Sequence, residues 1–209
     1  MRVRSDVYSY DLEWEYDEPL SVQVLETDEA TILFGGGTEA TADDLVDVAT
    51  DHDVDVVLVE HGDFDHYGGV PALRAAIDGL EVAVPRVDAA VLEDEGIPVD
   101  RPLDANKTYW GVETIASPGH TAENMSYRHK DVLVAGDTVV GANSPFAAAG
   151  GWSGAFAVIT PEYNADHEQT KASVAELLDY DFEAVLVSHG ENVESGDREE
   201  IETLTAEFE

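Results

Sequence analysis

The chain has 209 residues, 44% of them hydrophobic, which is enough for one large domain with a sizeable core and too apolar for a disordered acidic tail. Its 46 Asp and Glu against 10 Lys and Arg leave a formal net charge of −36, which argues against nucleic acid as a partner because phosphate binding needs clustered cations. Cysteine is absent, which excludes disulfides, thiolate nucleophiles and sulfur-ligated metals, so any metal must be held by imidazole and carboxylate.

The acids are spread along the whole chain rather than blocked into a tail. This reads as a solvated acidic coat of halophilic type, where screening at high intracellular salt makes self-repulsion tolerable. Stability is therefore expected to rise with salt. No apolar run is long enough to span a bilayer, and the opening "MRVRSDVYSYDLEWEYDE" lacks the hydrophobic segment of a signal peptide. A cytoplasmic protein with no membrane partner is the expectation.

In chain order, "SVQVLET" (21–27) and "ATILFGG" (30–36) predict strands. "TADDLVDVATDH" (41–52) predicts a helix, opened by a Thr-x-x-Asp cap and carrying an apolar stripe of Leu45, Val46, Val48 and Ala49. A strand is expected at "VDVVLVE" (54–60), a helix at "VPALRAAID" (70–78) and a strand at "LEVAVP" (80–85). Three more strands follow at "VETIASP" (112–118), "NMSYRH" (124–129) and "DVLVAGD" (131–137). Residues 141–163 read as a long irregular loop, of the kind found at site rims. A helix over 164–179, a strand at "EAVLVSHG" (183–190) and a helix over 198–208 complete the chain. Two strand-rich halves with interleaved helices predict a four-layer αββα sandwich in a single domain, residues 1–209.

Titratable residues fall at the ends of these strands. His61, Asp63, Asp65 and His66 follow the strand at 54–60, His120 follows 112–118, Asp137 ends 131–137 and His189 ends 183–190. Strand ends on one edge of a layered fold converge on one crevice, and imidazole with carboxylate suits zinc, iron or manganese. The remaining histidines, His52, His129 and His167, stand in polar contexts and read as surface.

The runs "HGDFDHYGG", "SPGHTAENMSY", "AGDT" and "VSHGE", in this order and over nearly the whole chain, resemble the metallo-β-lactamase fold superfamily, whose signature is H-x-H-x-D-H, then Gly-Gly, then a distant His, Asp and His. The resemblance implies the αββα fold and one or two metal ions, zinc in most branches. It would place His61, position 63, His120 and Asp137 around the first ion, and Asp65, His66, Asp137 and His189 around the second. Three departures stand out. Asp63 replaces the usual second His, a harder donor favouring iron or manganese, and close to the H-x-E-x-D-H of the flavodiiron branch. Gly35 in "ILFGGG" stands where the family commonly has the Asp of I-D-T-G, which supports the metal loop. Loss of such support typically costs about 10- to 100-fold in affinity or activity, and the sequence names no substitute. Asp137, rather than Cys, resembles the glyoxalase II, lactonase and ribonuclease Z-like branches.

The leading expectation is a hydrolase of small ester, thioester or lactone substrates, with weak β-lactam or phosphodiester activity a further option. A metal-bound hydroxide would attack, and Asp65 would orient it and carry its proton. Tyr163, Trp152, Phe146 and Asn143 in the long loop are substrate-contact candidates, with ordinary packing the rival reading of the aromatics. Two other classes stay open: a non-haem iron redox enzyme acting on oxygen or persulfide, and a metal-depleted binding protein. A homodimer is compatible with the sequence and not required by it.

Overall fold

Left-handed glycines end the apolar run at 30–36 sooner than its hydropathy suggests. In the computed structural model, which describes residues 1–148, 153–192 and 197–208, the chain divides into two compact units, Met1–Asp104 and Ala105–Glu209.

The first unit is one sheet whose strands lie in chain order: β1 (Val7–Leu12), β2 (Leu20–Glu26), β3 (Thr31–Phe34), β4 (Val56–Leu58), β5 (Glu81–Pro85) and β6 (Arg101–Leu103). β1, β2 and β3 pair antiparallel through short turns, and β3 to β6 are parallel. Parallel neighbours need crossovers. These are α1 (Ala42–Asp51) between β3 and β4, α2 (Phe64–Tyr67) with α3 (Val70–Ala76) between β4 and β5, and α4 (Ala89–Asp94) between β5 and β6. Leu33, Val57 and Val82 from the sheet pack with Leu45 and Ala49 of α1 and Val70 and Leu73 of α3 in one buried cluster.

Several sequence expectations are corrected here. β3 stops at Phe34 rather than at 36, because Gly35 and Gly37 take φ of +85° and +56°, incompatible with a strand. The Thr41 cap does not form: its hydroxyl is engaged with Thr38, donating to Thr38 O at 3.1 Å and accepting from Thr38 N at 3.0 Å. β1 was hidden because Val7 and Ser9 lie on one face and Tyr8, Tyr10 and Leu12 on the other, so its pattern is not a simple apolar–polar alternation. Those tyrosines pack around His52, which is not a surface residue: Tyr10 Oη lies 2.6 Å from its Nε2 and Glu26 3.2 Å from its Nδ1.

The second unit holds β7 (Thr108–Tyr109), β8 (Val112–Ala116), β9 (Met125–His129), β10 (Val132–Gly136), β11 (Val140–Gly141), β12 (Phe156–Ala157), helix α5 (His167–Glu176), β13 (Ala184–Val187) and helix α6 (Asp197–Ala206). The main sheet runs β13-β10-β9-β8-β7: an antiparallel meander from β7 to β10, with β13 added parallel to β10. Ile115, Leu133, Val185 and Val187 meet Val174 of α5 and Ile201 and Leu204 of α6 in its core. The segment 141–163 is less irregular than expected, since β11 and β12 pair within it and Pro161–Tyr163 forms a 3₁₀ turn. α5 starts at 167, later than expected, because Asp166 is its N-cap and accepts from Gln169 N at 3.0 Å. His129 and His167 are half-buried rather than exposed, and burial, followed by the Lys171 charge, pushes His167 below the usual histidine range.

The loop after β3 is clamped to the segment after α2. Gly36 N donates to His66 O at 2.7 Å, and Gly69 N to Gly36 O at 2.9 Å. A Cβ on Gly36 would stand 2.6 Å from Val70 Cγ2 and 2.8 Å from His66 O, with a backbone atom among the clashes. Gly36→Ala is therefore expected to cost about 1–3 kcal/mol of stability, read as a lowered urea midpoint. An unchanged midpoint would show that the two segments separate freely.

Candidate metal centre

In the first unit, the polar cluster begins where β4 stops. The ladder ends at Leu58, although Val59 N still donates to Ala83 O at 2.9 Å, and the next two side chains, Glu60 and His61, are fully buried. Gly62 approaches Asp88 and Val91 of the α4 region. Asp63 is extended, and the chain then coils into α2, with His66 N donating to Asp63 O at 3.0 Å. The helical turn buries His66 and leaves Asp65 half-buried and Phe64 exposed. The imidazoles of His61 and His66 pack at 4.0 Å between centroids. Asp63 Oδ2 lies 3.5 Å from His61 Nε2. Burial, then Glu95 and Asp63, push the Tyr67 phenol above its usual range, so it stays protonated at neutral pH. Beside this loop a cavity of about 500 Å³ is lined by Glu15, Thr38, Glu39, Ala40 and Phe64.

Glu60 was not anticipated. One of its carboxylate oxygens accepts from His66 Nδ1 at 3.1 Å, which leaves Nε2 as the ring's donor atom to a metal. The signal was available: a charged residue closing an apolar run of "VDVVLV" has to be bonded if it is buried.

In the second unit, His120 follows β8, Asp137 follows β10 and His189 follows β13. All three are buried, at most 4% exposed. Their backbone is pinned locally. His120 O accepts from Ala165 N at 3.0 Å, and His189 O from Gly141 N at 2.8 Å. A buried polar network that the sequence reading missed ties three strand ends together. Asn124 Nδ2 donates to Ser117 O at 3.0 Å and Thr138 Oγ1 at 2.8 Å, while Ser126 Oγ lies 3.0 Å from Ser117 Oγ and 2.9 Å from Thr138 Oγ1.

Asp137 Oδ2 lies 3.6 Å from His120 Nε2 and 3.5 Å from His189 Nε2. These separations exceed a good N–H···O hydrogen bond of about 2.9 Å. They match the spacing of two donors on one tetrahedral ion, about 3.4 Å for bonds of about 2.1 Å. The Asp63–His61 pair has the same spacing. The donor set thus fits a metal by its chemistry as well: buried imidazoles together with carboxylates, and no sulfur, suit zinc, iron or manganese, and the seven expected residues are all ones that could hold such an ion.

Of the expected substrate contacts, Phe146 packs edge-on against His189 with centroids 5.1 Å apart, and Tyr163, half-exposed, packs against Phe146 at 5.4 Å. Asn143 Oδ1 accepts from Glu191 N at 2.9 Å and so braces the loop beside His189. Trp152 lies outside the described residues.

Residues 19–189 match the family model described as the metallo-beta-lactamase superfamily. Among curated proteins, the chain is 30% identical over 86 residues to a hydroxyacylglutathione hydrolase of Stenotrophomonas maltophilia, a stretch covering 41% of this chain and 33% of that protein. A hydroxyacylglutathione hydrolase of Pseudomonas fluorescens is 30% identical over 91 residues, 41% of this chain and 32% of that one. The chain thus spans about a third of the length of these curated relatives. Among solved structures, a metallo-beta-lactamase from Pontibacter korlensis superposes with a TM-score of 0.75 at 18% identity, covering 99% of this chain and 97% of that one. One from Hirschia baltica gives 0.72 at 15% identity, covering 99% and 95%. These likenesses show the fold, which is of the αββα class expected from the sequence.

The 3.5 Å approach of Asp63 Oδ2 to His61 Nε2 puts position 63 among the residues that could hold a metal. Asp63→His is expected to raise zinc occupancy in protein reconstituted from the metal-free state. Equal zinc per chain in the two proteins would place Asp63 outside the donor set.

Proposed function

The chain belongs to the metallo-β-lactamase superfamily, and from that premise we propose that it is a metal-dependent hydrolase of small carbonyl substrates, with a thioester or ester favoured over a lactone. The observation that carries this reading is the placement of Asp137 Oδ2 at ion-sharing distance from both His120 Nε2 and His189 Nε2. The preference for thioesters is supported by the two hydroxyacylglutathione hydrolases, which align with part of this chain.

We assign His61, Asp63, Asp65 and His66 from the first unit, and His120, Asp137 and His189 from the second, to holding one or two metal ions, zinc in the first instance. Bound by such donors, a divalent metal supplies a Lewis acid for the scissile carbonyl and brings the pKa of water down toward about 7. Asp65, half-buried on α2, orients the attacking water, takes its proton and returns it to the leaving group. Phe146 and Tyr163 present an aromatic wall beside His189 for an apolar acyl group. Glu15 and Glu39 in the cavity beside Phe64 favour a neutral or cationic substrate over an anionic one. The acidic coat of the chain, net −36, leads us to place it in a high-salt cytoplasm. No helix among the described residues is long and apolar enough to cross a membrane.

A second reading rests on Asp63. An exposed carboxylate in the donor set is a hard ligand that favours iron or manganese, and with iron the centre would perform redox chemistry on oxygen. Iron in the purified protein together with oxygen consumption would decide for it.

The hydrolase reading is tested with neutral aryl esters, acyl thioesters and lactones. Asp65→Asn is expected to lower kcat by about 10²–10⁴-fold while most of the metal stays bound. Full turnover in that variant would remove Asp65 from the proton-transfer role. Metal-loaded wild type that hydrolyses none of the three classes would end the hydrolase reading.

A further inference from the structure

We infer that Glu60 is a positioning residue, which sets the tautomer and orientation of His66 and thereby makes Nε2 of that ring available to a metal. The inference deepens the metal-hydrolase reading and rests on it. Glu60 leaves β4 fully buried, beside a histidine that is buried as well. One carboxylate oxygen receives the His66 Nδ1 proton at 3.1 Å. A carboxylate can only accept, so this contact holds the proton on Nδ1 and leaves the Nε2 lone pair free of it.

The loop after β3 passes beside this carboxylate. Gly35 N donates to Leu58 O at 3.0 Å, which fixes that loop against the end of β4. An ideal Cβ on Gly35 would stand 3.6 and 3.8 Å from the two carboxylate oxygens of Glu60. That Cβ would make ordinary contact with the carboxylate and lie nearest to Val22 Cγ1, at 3.2 Å, so a side chain longer than alanine's at position 35 would compete with Glu60 for this space. The same geometry shows that a carboxylate attached at position 35 would reach this space once Glu60 is shortened. Position 35 has a φ of +85°, in the region that Asp and Asn tolerate better than other non-glycine residues.

The decisive experiment is cobalt(II) titration of metal-stripped protein, followed by ligand-field absorption, with ¹⁵N NMR of the His66 ring in the metal-free state. Glu60→Gln keeps the shape and removes the charge, and it is expected to weaken cobalt binding about 10-fold; Glu60→Ala should approach 100-fold. The double variant Glu60→Ala/Gly35→Asp should regain affinity over Glu60→Ala alone, a recovery that lost packing would not produce. In the NMR spectrum, the Nδ1–H tautomer of wild type should give way to a mixture in Glu60→Ala. Should Glu60→Ala not fold, Glu60→Gln decides by affinity and absorption. Unchanged cobalt affinity and an unchanged spectrum in Glu60→Gln would reduce Glu60 to a packing role and overturn the inference. Wild type that takes up no cobalt would overturn both this inference and the metal reading. Cobalt bound with the predicted Glu60 dependence, but without hydrolysis in the substrate panel, would end the hydrolase reading alone.

Discussion

Burying ionisable side chains at the ends of β-strands is the constraint on which the rest of this chain depends. An isolated buried charge costs several kcal/mol even after relaxation, so it persists only when bonded or coordinated. Asp137 illustrates the point. Its Oδ2 faces two imidazole nitrogens at 3.5 and 3.6 Å, a spacing better suited to a shared cation than to direct hydrogen bonds. A metal would relieve this arrangement by supplying the positive charge between the donors.

Both units meet the constraint by local means. In the first, His66 is held through its side chain by Glu60 and through its carbonyl by Gly36, so a helix of only four residues keeps a fixed orientation. In the second, the Asn124–Thr138–Ser117–Ser126 network locks the ends of β8, β9 and β10 beside the residues that carry His120 and Asp137. Every member of that network is buried, so its hydrogen bonds are strong and its geometry well defined. Rigid supports of this kind are what a donor set needs if ligand positions are to hold within a fraction of an ångström. The Gly35 departure from the family pattern finds its counterpart here: the space that a side chain at 35 would enter is occupied by the carboxylate of Glu60.

The fold class was legible because apolar runs such as "VDVVLV" and "AVLV" are long enough to announce buried strands, and the candidate donors stood out because each follows such a run. Less was legible where two residues compete for one partner. Thr41 reads as a cap, yet Thr38 captures its hydroxyl. β1 pairs with β2 over six residues, but tyrosines on its second face mask the alternation. His52 looks solvated in sequence because its partners, Tyr10 and Glu26, are 42 and 26 residues away. Glu60 follows the same rule, since its role depends on His66 and on the empty position at Gly35 rather than on its own neighbours.

The most direct measurement is metal content per chain by plasma mass spectrometry, on untagged protein that has never met a chelator and is kept in high salt. The account predicts one to two equivalents of zinc, or of iron if Asp63 sets the preference. A folded protein that carries no metal, and takes none up when zinc, iron or manganese is supplied, would contradict it.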